Sequence, residues 1–267
     1  MTAFLEVVRS FARKDFRIAW SYRGTFVVGA LGAFYQLVIF RFVSKLIGGG
    51  RFIGTADAYF RFVVVGIILT GILRAATSAA AANARRDQVE GTLEMLAAQP
   101  MPVGLLALGW SAWPICEALV DGLLTLVIAV PLGFTNVSPD WLPLIVSLLL
   151  SIAVFLAIGF AAAALVVATQ QGGQLPSLVV AVLILLSGAF FPIVVFPSWL
   201  QTIAKLSPLT YALRALRASI LPAAPTGAIV HDLAIVAGSA MALLPLSVLC
   251  LTLALRRARM TGRLATF

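Results

Sequence analysis

The chain reads as long apolar runs separated by short polar punctuation. Runs of about 20 predominantly apolar residues, enough to cross a bilayer core, occupy residues 24–47, 60–83, 103–134, 142–169, 175–195 and 232–255. The first 23 residues follow a different pattern. Glu6, Arg9, Arg13, Lys14, Asp15 and Arg17 are interleaved with Phe4, Leu5, Val8, Phe11, Phe16 and Trp20, and apolar positions 4, 8 and 11 have helical spacing. This predicts an amphipathic helix over 1–23 lying in the membrane interface. A cleavable signal peptide would instead place a short basic start before an apolar core. The expected fold is an all-α integral membrane protein with six transmembrane helices, one transmembrane domain over 1–267.

Two stretches depart from this alternation. The first is RRDQVEGTLEMLAAQP, from Arg85 to Pro100, a polar island between the second and third runs. Val89, Leu93 and Leu96 recur at i, i+4 and i+7, and Glu90 and Glu94 sit one turn apart beside them. A helix over 85–98 is predicted, stopped by Pro100 and Pro102. A solvated loop helix and a partner-facing helix both fit this pattern. The second stretch follows the fifth run, where Ser187-Gly188-Ala189-Phe190-Phe191-Pro192 breaks the span. Residues 196–221 are too polar to span and too apolar for an ordinary loop. Pro197 and Pro208 divide them into two short amphipathic pieces, one lined by Leu200, Ile203 and Leu206, the other by Leu209, Leu213, Leu216 and Ile220. Lys205, Arg214 and Arg217 fall on polar faces. Short external re-entrant helices before the last span would satisfy the backbone there.

Composition agrees with a membrane solvent. The chain is 61% hydrophobic and 11% charged, against about 25% charged in soluble domains. The net charge of +9 does not point to nucleic acid, because the basic residues cluster at the ends of apolar runs rather than among aromatics. With both ends inside, eleven basic residues lie on inner segments and six on outer ones. That excess places both termini and the polar island in the cytoplasm. Trp141 and Trp199 suit interfacial anchors. The lone His231 beside Asp232 suits an interfacial cap rather than a metal site. Cys116 and Cys250 lie inside apolar runs with no ligand neighbours. No catalytic residues and no metal ligands are expected. The chain lacks G-x-x-x-x-G-K-[ST], H-E-x-x-H and G-x-S-x-G, so it carries no ATP-cradling loop of its own.

Three charges fall deep inside predicted spans. Arg74 lies roughly 13 Å from the inner end of the second run and Glu117 roughly 20 Å from the inner start of the third. Asp121 is four residues from Glu117, on the same helix face. Charges at such depth face a bundle interior or water. A structural ion pair between the second and third spans is one reading. A polar lining of a transport path, or a proton relay, is the other.

Two segments carry a family resemblance. Arg85 to Pro100 resembles the E-G-T-L-E…P segment of type-2 ABC transporter permeases. SGAFFPIVVFPSWLQTIAKLSPLTYALRALR resembles that family's S-G-x-x-F-P…P-x-W-L…P-L-T-Y-x-x-x-x-x-R segment. The resemblance implies an ATP-driven exporter in the bacterial plasma membrane, built from two permeases and two P-loop ATPase subunits. The second permease would be a copy of this chain or a paralogue. It implies a cytoplasmic coupling helix over 85–98, with Arg86, Glu90, Gly91, Thr92, Leu93 and Glu94 toward the ATPase. It also implies exit-side helices that involve Phe191, Pro192, Pro197, Trp199, Pro208, Tyr211 and Arg214. ATP and Mg²⁺ would sit on the partner, with no cofactor in this chain. The cargo suggested by an aliphatic and aromatic seam is hydrophobic or amphipathic, drug- or lipid-like; a polysaccharide or glycolipid precursor is the alternative. The rival reading from another class is an ATP-independent channel or secondary transporter, which leaves the coupling-like segment unexplained.

Overall fold

The computed structural model describes residues 23–47, 55–99, 102–135, 137–169, 174–221 and 226–260. The interfacial helix expected over 1–23 lies almost wholly outside them. Among the described residues the elements are all helical. They are α1 (Arg23–Ile47), α2 (Ala56–Val89), α3 (Thr92–Ala98), α4 (Val103–Ala129), α5 (Trp141–Thr169), α6 (Gln174–Leu186), a 3₁₀ turn (Ile193–Val195), α7 (Ser198–Leu206), α8 (Pro208–Ile220) and α9 (Thr226–Met260). Helices α1, α2, α4, α5 and α9, five in all, are long and apolar enough to cross a membrane.

The organising element is α2. Val63, Val64 and Val65 are consecutive and each fully buried, so the half of the helix toward Ala56 is covered on most sides, while Gly71, Arg74, Ser78 and Ala82 form an exposed stripe further along. A helix with so much apolar surface must be enclosed by others over most of it, and α1, α4, α5, α6 and α8 pack against it. Close approach depends on small residues, since lipid tails offer no hydrophobic drive between helices. Gly159 of α5 sits where an added Cβ would lie 2.4 Å from the Ala76 carbonyl oxygen of α2. Gly159→Ala is therefore expected to cost roughly 2 kcal/mol by overpacking, read as a lower melting temperature in detergent. Gly71→Ala, which meets open space, is the control and should leave it unchanged or raise it slightly. Equal melting of the two variants would refute this account of the α2–α5 contact.

Three boundaries differ from the expected ones. Helix α6 ends at Leu186 after 13 residues, about 20 Å of rise, short of a roughly 30 Å core. The expected span over 175–195 is instead a helix followed by a break. Gly188 has φ +71°, a left-handed conformation open to glycine, and the chain turns there before Pro192. The third run stops as a helix at Ala129 rather than 134, because Val130 to Gly133 form a turn. The polar island is not one helix over 85–98. Helix α2 continues through Val89, and Gly91, at φ +71°, separates it from α3.

The broken helix changes the expected stripe. Leu93 is fully buried while Val89 is 61% exposed. A continuous helix would have put both on one face, and the turn at Gly91 rotates them apart. Of the two amphipathic pieces, α8 buries Leu209, Leu213 and Leu216 as patterned. In α7 the stripe points away from the bundle, with Ile203 and Leu206 exposed.

Candidate functional site

At the end of α2 that meets α3, a buried carboxylate gathers three helices. Asp87 accepts a hydrogen bond from Trp110 Nε1 of α4 at 2.8 Å and another from Thr92 Oγ1 of α3 at 3.2 Å. Asn83 Nδ2 donates to the Trp110 carbonyl at 2.7 Å, and Arg86 Nη2 donates to Asn83 Oδ1 at 2.8 Å. Gln88 Nε2 reaches the Val167 carbonyl of α5 at 3.4 Å. Beneath this network Leu93 inserts among Ala84, Leu106, Ala107 and Trp110. Burial of that leucine contributes about 2 kcal/mol. Helix α3 is thus fixed to α2 and α4 by an apolar anchor and by polar cross-links. What remains outward is Val89, Glu90, Glu94 and Met95, an apolar and acidic surface on a short rigid projection.

The opposite end of α2 meets the break after α6. There Arg217 of α8 lies over the Phe62 ring at 3.4 Å. Its Nε donates to the Phe62 carbonyl at 3.2 Å. Its two terminal nitrogens donate to the Gly188 carbonyl, each at 3.2 Å, and Nη2 also to the Ala189 carbonyl at 2.7 Å. The chain at Gly188 and Ala189 has left the helix, so these carbonyls have no intrahelical partner, and the guanidinium fork supplies donors there. Burial lowers the Arg217 guanidinium from its ordinary value to about 9, so it stays cationic at neutral pH. Gly66 makes this fit possible, since a Cβ there would lie 2.2 Å from the Ala189 oxygen. Next to it, Arg214 pairs with the buried Asp232 of α9 at 3.1 Å and lies 5.6 Å from the Tyr211 ring. His231 Nδ1 lies 3.5 Å from the same carboxylate.

The three intramembrane charges share one cavity. Arg74, Glu117 and Asp121 line a space of about 320 Å³ between α1, α2 and α4, with Gln36 and Thr70. Among the described residues no ion pair joins Arg74 to either carboxylate. The spans do bring these groups together, as a polar lining rather than a closed salt bridge. A second cavity, of about 870 Å³, opens between α2 and α6 and also reaches Arg74.

The remaining sequence-derived positions fall at the α7–α8 end. Phe191, Pro197 and Trp199 are exposed, while Pro192, Pro208 and Tyr211 are half-buried. Pro208 opens α8, where a missing N–H costs nothing. The sequence reading did not single out Asp87 or Arg217 as site residues. Asp87 gave no signal apart from being acidic in a polar segment. Arg217 carries one, as the terminal arginine of the P-L-T-Y-x-x-x-x-x-R pattern, although Arg214 is the arginine expected among the exit-side positions.

Residues 6–221 match the family model described as ABC-2 type transporter. That interval contains both distinctive segments and every element from α1 to α8. Among curated proteins, the chain is similar to nodulation protein J of Sinorhizobium fredii (strain NBRC 101917 / NGR234). The two are 28% identical over 194 residues, 69% of this chain and 71% of the relative. Nodulation protein J of Rhizobium meliloti (strain 1021) is 27% identical over 182 residues, 65% of this chain and 67% of the relative. That of Rhizobium leguminosarum bv. trifolii is 29% identical over 168 residues, 61% and 63% respectively. With several helices long enough to span and a family match over most of its length, the chain belongs to the ABC-2 type transporter family, as a membrane subunit of an ABC transporter.

Proposed function

We propose that this subunit is the permease of an ATP-driven exporter in the bacterial plasma membrane. It moves a hydrophobic or amphipathic cargo outward by alternating access at a seam between two permeases. The observation that carries this reading is the clamped α3, whose Leu93 and Thr92 point into the bundle while Glu94 and Met95, with Glu90 at the preceding turn, are exposed. A short helix held that firmly transmits displacement rather than absorbing it. In this reading α3 and the preceding turn lie on the cytoplasmic side and dock on a P-loop ATPase. Arg86, Glu90 and Glu94 face the partner, while Gly91 sets the angle. Closure of two ATPase subunits pushes α3, and the Asp87 cross-links carry the push into α2 and α4. Exposed apolar faces on α1 and α6, including Leu31, Phe34, Leu178 and Leu185, would supply the seam. The α7–α8 pair would cap the exit.

The test is to express the tagged chain with its neighbouring genes and purify it in mild detergent. A P-loop ATPase should co-purify in stoichiometric amount. The Glu90→Ala, Glu94→Ala double variant should retain at most about a tenth of it, since loss of two charged contacts costs roughly 2 kcal/mol or more. An undiminished ATPase in the double variant would move the contact elsewhere. No ATPase with the unaltered chain would overturn the proposal.

A further inference from the structure

The cavity between α2 and α6 has an unusual charge. Its lining includes Arg74, Arg85 and Arg86 but only one acidic side chain, Glu90 at the rim. The three arginines share a face of α2 with Ser78, Ala81, Ala82 and Val89, and opposite them α6 contributes the aliphatic Val180, Ala181 and Ile184. Arg86 is engaged by Asn83. Arg85 is not engaged at its tip: Nη1 is buried and has no hydrogen-bond partner among the described residues. An unpaired buried guanidinium nitrogen is costly, and an arginine fork fits a phosphate or carboxylate in bidentate fashion. Arg74 repeats the charge about 16 Å further along the helix axis, eleven residues at the helical rise.

We propose that this cavity is the loading site for an amphipathic cargo with an anionic headgroup, a phosphate or carboxylate. The head enters at Arg85 and steps along α2 to Arg74. The tail lies against Val180, Ala181 and Ile184 of α6. Arg74 is the end of that path, at the border with the neighbouring cavity that it lines together with Glu117 and Asp121. Those carboxylates repel an anion, so the headgroup is kept to the α6 side. This inference rests on the exporter reading and narrows its cargo from amphipathic to anionic amphipathic.

The probes are three amphiphiles of equal dodecyl chain: dodecyl phosphate, dodecylphosphocholine and dodecyltrimethylammonium. Binding to the permease in nanodiscs is measured first, and stimulation of ATP hydrolysis by the permease–ATPase complex second. Dodecyl phosphate is expected to bind at least about tenfold more tightly than the cationic probe, a difference of roughly 1.4 kcal/mol, and to stimulate hydrolysis. Arg85→Gln should remove most of that preference and Arg85→Lys should keep most of it; Arg74→Gln should bind the probe but lose stimulation. Lack of headgroup preference in the unaltered chain, or a preference unchanged in Arg85→Gln, overturns the proposal. Binding without stimulation identifies a resident bilayer lipid and overturns it as a cargo site. If Arg85→Gln fails to assemble, the preference of the unaltered chain and of Arg85→Lys decides. The binding measurement needs no ATPase, so failure of the exporter reading and failure of this inference give different results.

Discussion

Asp87→Ala is expected to melt earlier in detergent, with a loss of about 3 kcal/mol, and to reduce transport by tenfold or more while the ATPase stays bound. Two hydrogen bonds to a buried carboxylate disappear, each worth about 1.5 kcal/mol or more. The Trp110 Nε1 donor, in a residue 2% exposed, is left without an acceptor. Thr92 loses its anchor as well, and α3 is then held mainly by Leu93. Asp87→Asn keeps an oxygen within reach of Trp110 and should recover about half the loss. The transport readout separates transmission from folding. A merely structural Asp87 would lower the melting temperature and leave transport per folded complex unchanged. Unchanged melting and transport in Asp87→Ala would remove the clamp from the mechanism altogether.

Arg217→Ala should be more damaging, by about 4 kcal/mol, with loss of assembled protein as the first sign. The carbonyls of Gly188 and Ala189 lose their donor together, each unsatisfied buried acceptor costing about 1–3 kcal/mol, and the Phe62 carbonyl inside α2 loses the donor it has beyond its own helix. The guanidinium also leaves the face of Phe62, a contact worth about 1 kcal/mol or more where desolvated. Arg217→Lys should restore less than half of the stability, because an ammonium has no planar fork to serve separate carbonyls at once. The measurement is the yield and melting temperature of the purified permease. Full stability of Arg217→Ala would mean that the break after α6 is held by the backbone alone. A lysine variant equal to the unaltered chain would mean that charge matters there and geometry does not.

These two residues also mark where sequence reasoning ran short. Asp87 stood in a polar segment with Arg85, Arg86 and Glu90, and nothing local separated it from them. It became a buried acceptor because Trp110, 23 residues later, crosses α2 at that level. Arg217 looked like one of two polar-face arginines on α8. The difference between it and Arg214 lies in what faces each: backbone carbonyls of α2 and of the break after α6 for one, Asp232 for the other. The expected stripe of Val89, Leu93 and Leu96 assumed one continuous helix. A single left-handed glycine divided it.

The sequence by itself determined the solvent, the helical class and the alternation of long apolar segments with the two interrupted regions. Those properties follow from local composition and from the cost of an unpaired backbone in lipid, so they can be read along the chain. It also carried the two segments that identify the family, because they are contiguous. Only the tertiary structure decided that α2 is the most buried of the spans and that α6 stops short. The same holds for the sharing of one cavity by Arg74, Glu117 and Asp121 without an ion pair, and for the roles of Asp87 and Arg217 as anchors at the two ends of α2. Each of these depends on groups far apart in sequence meeting at a fixed distance. Local periodicity assigns a residue to a face, but the partner on the other side of that face is set by packing.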